Sequence, residues 1–201
     1  MKYTQVPADT FKQIQLNAGV IAKNFNPETG ALQRADIIGA TSGGSKFEAV
    51  PEYTDFGEDI DNVPANTKEL KRQDSVAVKL SGSFVTFTAD MAELLAASAD
   101  SANGKITPRA DLSQDDFNDI WWIGDYSDVN ADTEAAGGGT GASAGFIAIH
   151  VINALNTGGF KLTSNDKGKG MFDFEFTGHY SIDDMSVVPY EVYVKAGTPA
   201  A

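Results

Sequence analysis

The chain has 201 residues, 42% of them hydrophobic, and a formal net charge of -13 from 28 acidic and 15 basic side chains. This length suits one globular domain with a sizeable core. The acidic balance argues against a protein that grips nucleic acid, because phosphate neutralisation needs clustered Lys and Arg. The chain has no cysteine, which excludes disulfides, thiolate zinc sites and cysteine nucleophiles.

The N-terminal part of the chain predicts an arm followed by a strand. Residues 1–10 have no apolar period. Residues 11–25 have the composition of a strand that is broken or bulged near Asn17–Gly19. The sequence Asn-Pro-Glu-Thr-Gly at 26–30 predicts a turn, and residues 37–38 form a short apolar segment.

Two strand-like segments enclose a long polar stretch. Residues 46–52 alternate between polar and apolar side chains, and apolar residues from Val76 to Phe84 fall on one face of a second strand. The residues between them, 53–74, have no apolar period, and a connection of this length is usually functional or disordered. At ~3.3 Å per residue such an excursion could reach roughly 35 Å from its sheet, far enough to touch another subunit.

The charge of this stretch is bipolar, with an acidic first half and a basic second half. Such a loop suits a head-to-tail contact with an identical copy. A tip folded back with internal ion pairs is the alternative, but exposed pairs of ~0–1 kcal/mol would fix so long a loop poorly. The residues predicted to carry the contact are Tyr53, Asp55, Glu58, Asp59, Asp61, Asn62, Lys68, Glu69, Lys71 and Arg72.

The second half of the chain predicts one helix and several strands. The helix is predicted over 88–99, where apolar residues follow helical spacing behind the N-cap candidate Thr88. The apolar run Ile120–Ile123 predicts a strand that is covered on both faces or lies at a subunit contact. Further strands are predicted over 145–155, 160–163 (through a hairpin turn at 156–159), 172–176 and 187–194. The total is about eight strands, mostly antiparallel.

Candidate catalytic and metal-binding groups are few. The chain has two histidines, His150 and His179, but no nucleophile-elbow sequence that would supply a catalytic serine. Packed or interface histidines are therefore favoured. The glycine run at 137–141 has no neighbouring Lys and no following helix, which argues against a phosphate loop. The acidic segment 125–132, like the acids of the polar stretch, favours solvated carboxylates over a calcium site. No carboxylate pair is singled out for glycoside hydrolysis. We therefore predict no enzymatic activity, cofactor or metal.

The most distinctive strings of the chain are, in order, DFGEDIDNVPANTKELKR, TADMAELLAASAD, KITPRADL, DIWWIGDYSD, GFIAIHVINALNTGGF and DKGKGMFDFEFTGHYS. By these strings the chain resembles the major tail proteins of long-tailed, siphovirus-type bacteriophages, the subunits of the tail tube. The resemblance covers residues 6–196. Some members carry an immunoglobulin-like domain at the C-terminus, and we expect none here.

The resemblance implies a mainly β fold with one helix: an antiparallel β-sandwich or partial barrel flanked by the helix, in one domain. Six subunits would close a ring around a shared inner β-barrel, which removes exposed sheet edges, and rings would stack head-to-tail. Residues 53–74 then correspond to the stacking loop, and residues 1–10 and 181–201 to arms. The possible lumen-facing or interface residues are Lys79, Ser81, Ser83, Trp121 and Trp122.

The function that the resemblance implies is structural. Stacked rings would form the conduit for genome delivery, with DNA passing an acidic wall without specific binding. The implied partners are further copies of the chain, the tape-measure protein, the tail terminator and the distal tail protein. The expected location is the phage tail of the virion, assembled in the host cytoplasm, with no membrane span. The alternatives are the inner tube of a contractile tail or injection device and, less favoured, a carbohydrate- or calcium-binding virion module.

Overall fold

The computed structural model describes residues 6–7, 10–126, 145–164 and 166–197. Several predicted features lie outside the described residues. They are most of the N-terminal arm, the glycine run at 137–141, most of the candidate calcium segment 125–132 and the end of the C-terminal arm.

The described residues form eleven β-strands and one α-helix. Their bounds are β1 Gln15–Ala22, β2 Ile37–Gly39, β3 Thr41–Asp55, β4 Lys71–Phe84, α1 Ala89–Ala96, β5 Ala99–Ala102, β6 Lys105–Pro108, β7 Asn118–Tyr126, β8 Gly145–Asn156, β9 Lys161–Thr163, β10 Met171–Thr177 and β11 Tyr190–Lys195. Short 3-10 turns occupy Thr10–Gln13, Arg34–Asp36, Lys68–Leu70 and Gln114–Asp116. The prediction of a mainly β chain with one helix is confirmed for the described residues.

Nine strands join one sheet in the order β2-β1-β7-β8-β10-β4-β3, with β11 beside β8 and β9 beside β10. Every pairing between these strands is antiparallel. β8 meets β10 only at Leu155 and Asn156, so the sheet is held together there by a short contact. The strands on either side of this contact share one apolar core, an arrangement consistent with a β-sandwich.

The main core lies between the two halves of the sheet and under α1. β4 contributes Val76, Val78, Leu80 and Phe84, all at most 7% exposed, while the alternate residues face solvent. This confirms the period-two pattern of the sequence. The cluster also contains Ile21, Met91, Leu94, Leu95, Ile120, Val151, Ala154, Phe174 and Phe176.

β7 is covered on both faces, as its unbroken apolar run predicted. Ile120 points into the main core. Trp121 and Ile123 belong to a second cluster on the other face, where Phe25 and Leu32 of the β1–β2 connection cover them. The predicted bulge in β1 is also present, since its register to β7 shifts between Leu16 and Val20.

The helix is shorter than predicted. Thr88 is its N-cap and accepts a hydrogen bond from the Met91 amide at 3.2 Å, as expected. The helix stops after Ala96, because Ala97 has a φ of 66°. The residues that follow form the β5–β6 hairpin, whose turn at Asn103 and Gly104 has two positive φ values.

The predicted hairpin between residues 145–155 and 160–163 is wrong. β9 pairs with β10, and the turn after Asn156 is held instead by the Glu175 carbonyl, which accepts from the Thr157 amide. The last strand begins at Tyr190 rather than at 187. Within the proposed C-terminal arm, β11 is therefore part of the sheet, whereas Ile182 and Met185 are 83% and 68% exposed.

Candidate functional site

The β3–β4 hairpin projects beyond the rest of the sheet. Its register runs from Thr41–Phe84 at the base to Asp55–Lys71 at the far end. Near that end the side chains of 50–54 and 71–74 are exposed on both faces of the ribbon. The strands therefore extend into the predicted loop 53–74, and the connection itself is shorter, residues 56–70. We call this connection the tip.

The tip is folded back on itself by backbone contacts. The Asp55 carboxylate accepts from the Gly57 amide at 2.9 Å and from the Asn66 amide at 2.6 Å. These two bonds, together with the nearby Lys71 charge, hold the pKa of Asp55 below its ordinary value. The Phe56 amide donates to the Leu70 carbonyl at 3.0 Å and closes the ribbon. The tip is thus an ordered turn rather than the structureless stretch that the sequence suggested.

The basic half of the predicted loop, which runs from Lys68 in the tip to Lys71 and Arg72 at the start of β4, makes short-range contacts. The Lys71 ammonium donates to the Asn66 side-chain oxygen at 3.1 Å and lies 5.1 Å from the centre of the Tyr53 ring. The Arg72 guanidinium bonds Asp74 at 2.7 Å and lies over Phe56. Asp74 also accepts from the Thr54 hydroxyl, and both hydrogen bonds lower the pKa of Asp74. Lys68 is 88% exposed and reaches only its neighbour Glu69, at 3.3 Å.

The acidic half remains available to a partner. Glu58, Asp59, Asp61 and Asn62 are exposed. None of the three acids forms an ion pair with another residue that the structure describes. The alternative of a folded-back tip with internal ion pairs is therefore met in the basic half, where Lys68 pairs with Glu69 and Arg72 with Asp74, and not by these three acids. The predicted loop residues do come together, but as two separate charged surfaces.

Two apolar residues of the tip were missed by the sequence analysis. Phe56 is 51% exposed and Ile60 is 47% exposed, beside Tyr53 at 53%. The sequence signal that could have identified them is the presence of single large apolar residues in an otherwise polar, proline-containing stretch. Half-exposed apolar side chains surrounded by charged ones are typical of a contact surface.

The polar face of β4 and its neighbours forms a continuous surface. Lys79 pairs with Glu175 at 2.9 Å, and this contact lowers the pKa of Glu175. The Ser83 hydroxyl donates to Asp173 at 2.6 Å, and Ser81 lies in register between Lys46 and Glu175. Three of the predicted lumen-facing residues, Lys79, Ser81 and Ser83, therefore share one sheet face.

The two tryptophans lie elsewhere. Trp121 is 7% exposed in the second core cluster, and Trp122 donates through its ring nitrogen to the Ala18 carbonyl at 3.1 Å. The structure thus does not bring them to the face that carries Lys79. Their unbroken apolar run reflects a strand buried on both faces.

The two histidines are packed among aromatic and acidic side chains. The His150 ring stacks on Trp121 with 4.0 Å between centroids, and its nitrogens lie 3.5 Å from carboxylate oxygens of Asp119 and Glu191. His179 contacts the Asn153 carbonyl through Nδ1 at 3.1 Å. His150 lines a shallow cavity of about 410 Å³, which also includes Lys23, Asn24, Asp36 and Asp119.

Within the described residues, no group of three His, Asp or Glu side chains is placed to hold a metal ion. Nor does that part of the chain contain a helix long and apolar enough to cross a membrane. The chain matches no protein-family model and no curated protein. The resemblance to phage tail tube subunits stays a prediction.

Proposed function

We propose that the protein is the structural subunit of a phage tail tube, in which rings of the chain stack into a conduit for DNA. The observation that carries the proposal is the β3–β4 hairpin. It leaves the core as a two-stranded ribbon and ends in an ordered, charged and half-apolar tip. The far end of this ribbon, residues 50–54 and 71–74, adds nothing to the stability of the chain's own core, since its side chains are exposed on both faces. It is well suited to contact another copy.

The polar sheet face supports the role of a conduit wall. It carries Glu48, Glu52, Asp173 and Glu175 against Lys46, Lys79 and Lys161, so acids outnumber bases by four to three. Lys79 is paired with Glu175 and Lys46 with Glu48, and Lys161 lies in register with Asp173. Because each base of this face lies beside an acid, the face offers phosphate no cluster of free cations, and DNA would pass it without specific binding.

The exposed edge of β3 supports ring closure. β3 is fifteen residues long and ends the strand order of the main sheet. Unpaired backbone groups on a long edge are a template for another strand, and closing a barrel between subunits would cover them. Pro51 and Lys46 on the same strand limit unwanted pairing of the free subunit.

The same features fit the inner tube of a contractile tail or injection device, which would differ by an associated sheath. The order and charge of the tip favour a self-assembling tube of either kind over a glycan- or calcium-binding module.

Sedimentation velocity over a range of protein and salt concentrations tests the proposal. We expect a ring-sized species and longer polymers whose proportion rises with concentration, because assembly follows mass action. Monomer alone at every concentration, even after addition of polymer seeds, would contradict it. Calorimetric titration with Ca²⁺ and with glycans tests the binding-module alternative. A binding module is expected to give a saturable heat of binding with one of these ligands, and a tube subunit is expected to give none.

A further inference from the structure

A cluster of exposed aromatic side chains lies at the base of the β3–β4 hairpin. Phe87 stacks on Phe172 with 4.2 Å between ring centroids, and Phe160 lies 5.8 Å from Phe87. Phe87, Phe160 and Leu162 are 45%, 49% and 55% exposed. We call these four residues the base patch. Neither the main core nor the tip uses the exposed half of these side chains.

The base patch is an extension of the core beyond the end of its sheet. Phe172 pairs in register with Phe84, the last residue of β4, and with Leu162 of β9. Phe84 and Phe174 are buried directly behind it, with 4.4 Å between their rings. The apolar row therefore continues past the point where the described elements of this chain cover it, and an exposed apolar row of this kind is typical of a contact surface.

The base patch and the tip lie at opposite ends of the same ribbon. β4 runs from Lys71 at the tip to Phe84 at the base, about 43 Å at roughly 3.3 Å per residue. The β9–β10 turn leaves the sheet at the base end, since Met171 and Phe172 begin β10 there. A copy translated along the ribbon by this length brings its tip to the base of the next copy.

The two ends also carry opposite charges. The β9–β10 turn presents Lys167 and Lys169, both exposed, next to the base patch. The tip presents Glu58, Asp59 and Asp61 beside Phe56 and Ile60. Lys68 in the tip and Asp166 in the turn reduce these charges without reversing them. Each end thus combines apolar side chains with a net charge, negative at the tip and positive at the β9–β10 turn. This pattern guides encounter and fixes orientation in heterologous contacts.

We propose that the base patch, with Lys167 and Lys169, is the surface that receives the β3–β4 tip of a second copy of this chain. In this contact Phe56 and Ile60 of one copy pack on the aromatic cluster of the next, and the tip acids face the two lysines. The inference rests on the proposed function, since it names the partner surface for the stacking contact. A contact between different surfaces that repeats by translation builds a filament rather than a closed dimer.

A charge exchange between the two ends tests the contact. The first variant is Lys167→Glu with Lys169→Glu, and the second is Glu58→Lys with Asp59→Lys. Each variant alone opposes like charges, so we expect elongation to fall at least tenfold, measured by light scattering and electron microscopy. When separately prepared rings of the two variants are mixed, alternation of the two kinds along the tube brings opposite charges together at each junction, so the mixture is expected to elongate. The variant Arg34→Glu with Lys105→Glu, which reverses two exposed cations elsewhere, is expected to behave as wild type.

The outcomes separate this inference from the proposed function. Wild-type protein that forms no tubes contradicts the proposed function itself. Wild-type tubes together with normal elongation of the Lys167→Glu, Lys169→Glu variant overturn only the receiving surface. A mixture that stays unpolymerised, although each variant is folded by circular dichroism, also overturns it.

Disulfide trapping gives a second test that needs no loss of assembly. The chain has no cysteine, so any disulfide that forms must join the introduced cysteines. Ile60→Cys with Leu162→Cys is expected to give covalent oligomers when oxidised in the assembled state. Ile60→Cys with Val194→Cys, an equally exposed pair, is expected to give none. Equal yields from the two pairs, or no oligomers from the first pair in assembled tubes, contradict the contact.

Discussion

Asn156 is a buried polar residue that joins three elements of the fold. It is 2% exposed at the end of β8. Its side-chain nitrogen donates to the Leu95 carbonyl of α1 at 2.6 Å, and its oxygen accepts from the Glu175 amide of β10 at 2.9 Å. The short β8–β10 contact and the helix end therefore depend on one amide group.

Replacement of Asn156 by Ala is expected to lower the free energy of unfolding by about 3 kcal/mol, because it leaves a buried carbonyl and a buried amide without partners. Urea denaturation measures the change. Gln73→Ala removes an exposed amide from β4 and is expected to change the free energy by less than about 0.5 kcal/mol. Equal changes in the free energy of unfolding for the two substitutions would contradict the structural role assigned to Asn156.

Asp55 makes the order of the tip depend on pH. Its pKa is lowered by hydrogen bonds from the Gly57 and Asn66 amides. A lowered pKa means that the ionised form favours the folded tip. This contribution is complete above the unfolded value of about 3.9 and is lost as pH falls through the lower folded value.

We expect the Gly57 amide resonance to titrate with a midpoint below about 3.9, as followed by NMR. In the Asp55→Ala variant the same resonance should not show this titration, and the Gly57 and Asn66 amides should exchange faster with solvent. A midpoint at or above the ordinary aspartate value would mean that these hydrogen bonds do not hold the tip.

The β3–β4 hairpin is the element on which the proposed assembly depends. Lys68 lies free of the tip's internal contacts except for Glu69, whereas Lys71 and Arg72 also help to order the ribbon. Charge reversal can thus act on a partner and on the tip itself. The two effects are separable, because the tip contributes no residue to the main core.

The variant with Lys68→Glu, Lys71→Glu and Arg72→Glu is expected to fold and to form no tubes, because it removes the Lys71–Asn66 and Arg72–Asp74 contacts that order the end of the hairpin. Its far-UV circular dichroism and its urea midpoint should stay close to those of the wild type, while electron microscopy shows isolated rings or monomers. Tubes of wild-type length would exclude a role of the basic half of the tip in stacking.

The sequence predicted those elements in which one face is buried. Val76, Val78 and Leu80 alternate because the core face of β4 selects apolar side chains. The ribbon residues near Tyr53 and Arg72 have no buried face, so no hydrophobic alternation marked them as strands. The end of α1 was missed because Ala97 adopts positive φ without the usual glycine. The structural role of Asn156 was missed because its sequence neighbourhood predicted only a turn, and its hydrogen-bond partners come from elements that are distant in sequence.

At the scale of the whole molecule, the two ends of the β3–β4 ribbon present different surfaces. The acidic, half-apolar tip lies at one end of the ribbon, and the aromatic base patch with its lysines lies at the other. The long edge of β3 and the polar sheet face run between these ends. The described residues leave all four surfaces uncovered, and the proposed stacked ring assembly would use each of them.

Negative-stain electron microscopy of the purified chain tests this account most directly. The account predicts rings that stack into tubes of uniform width with a stain-filled central channel, without any other protein present. Tube length should increase with protein concentration. A preparation of folded protein that shows only monomers or irregular aggregates at all concentrations, even when seeded with preformed polymer, would contradict the account.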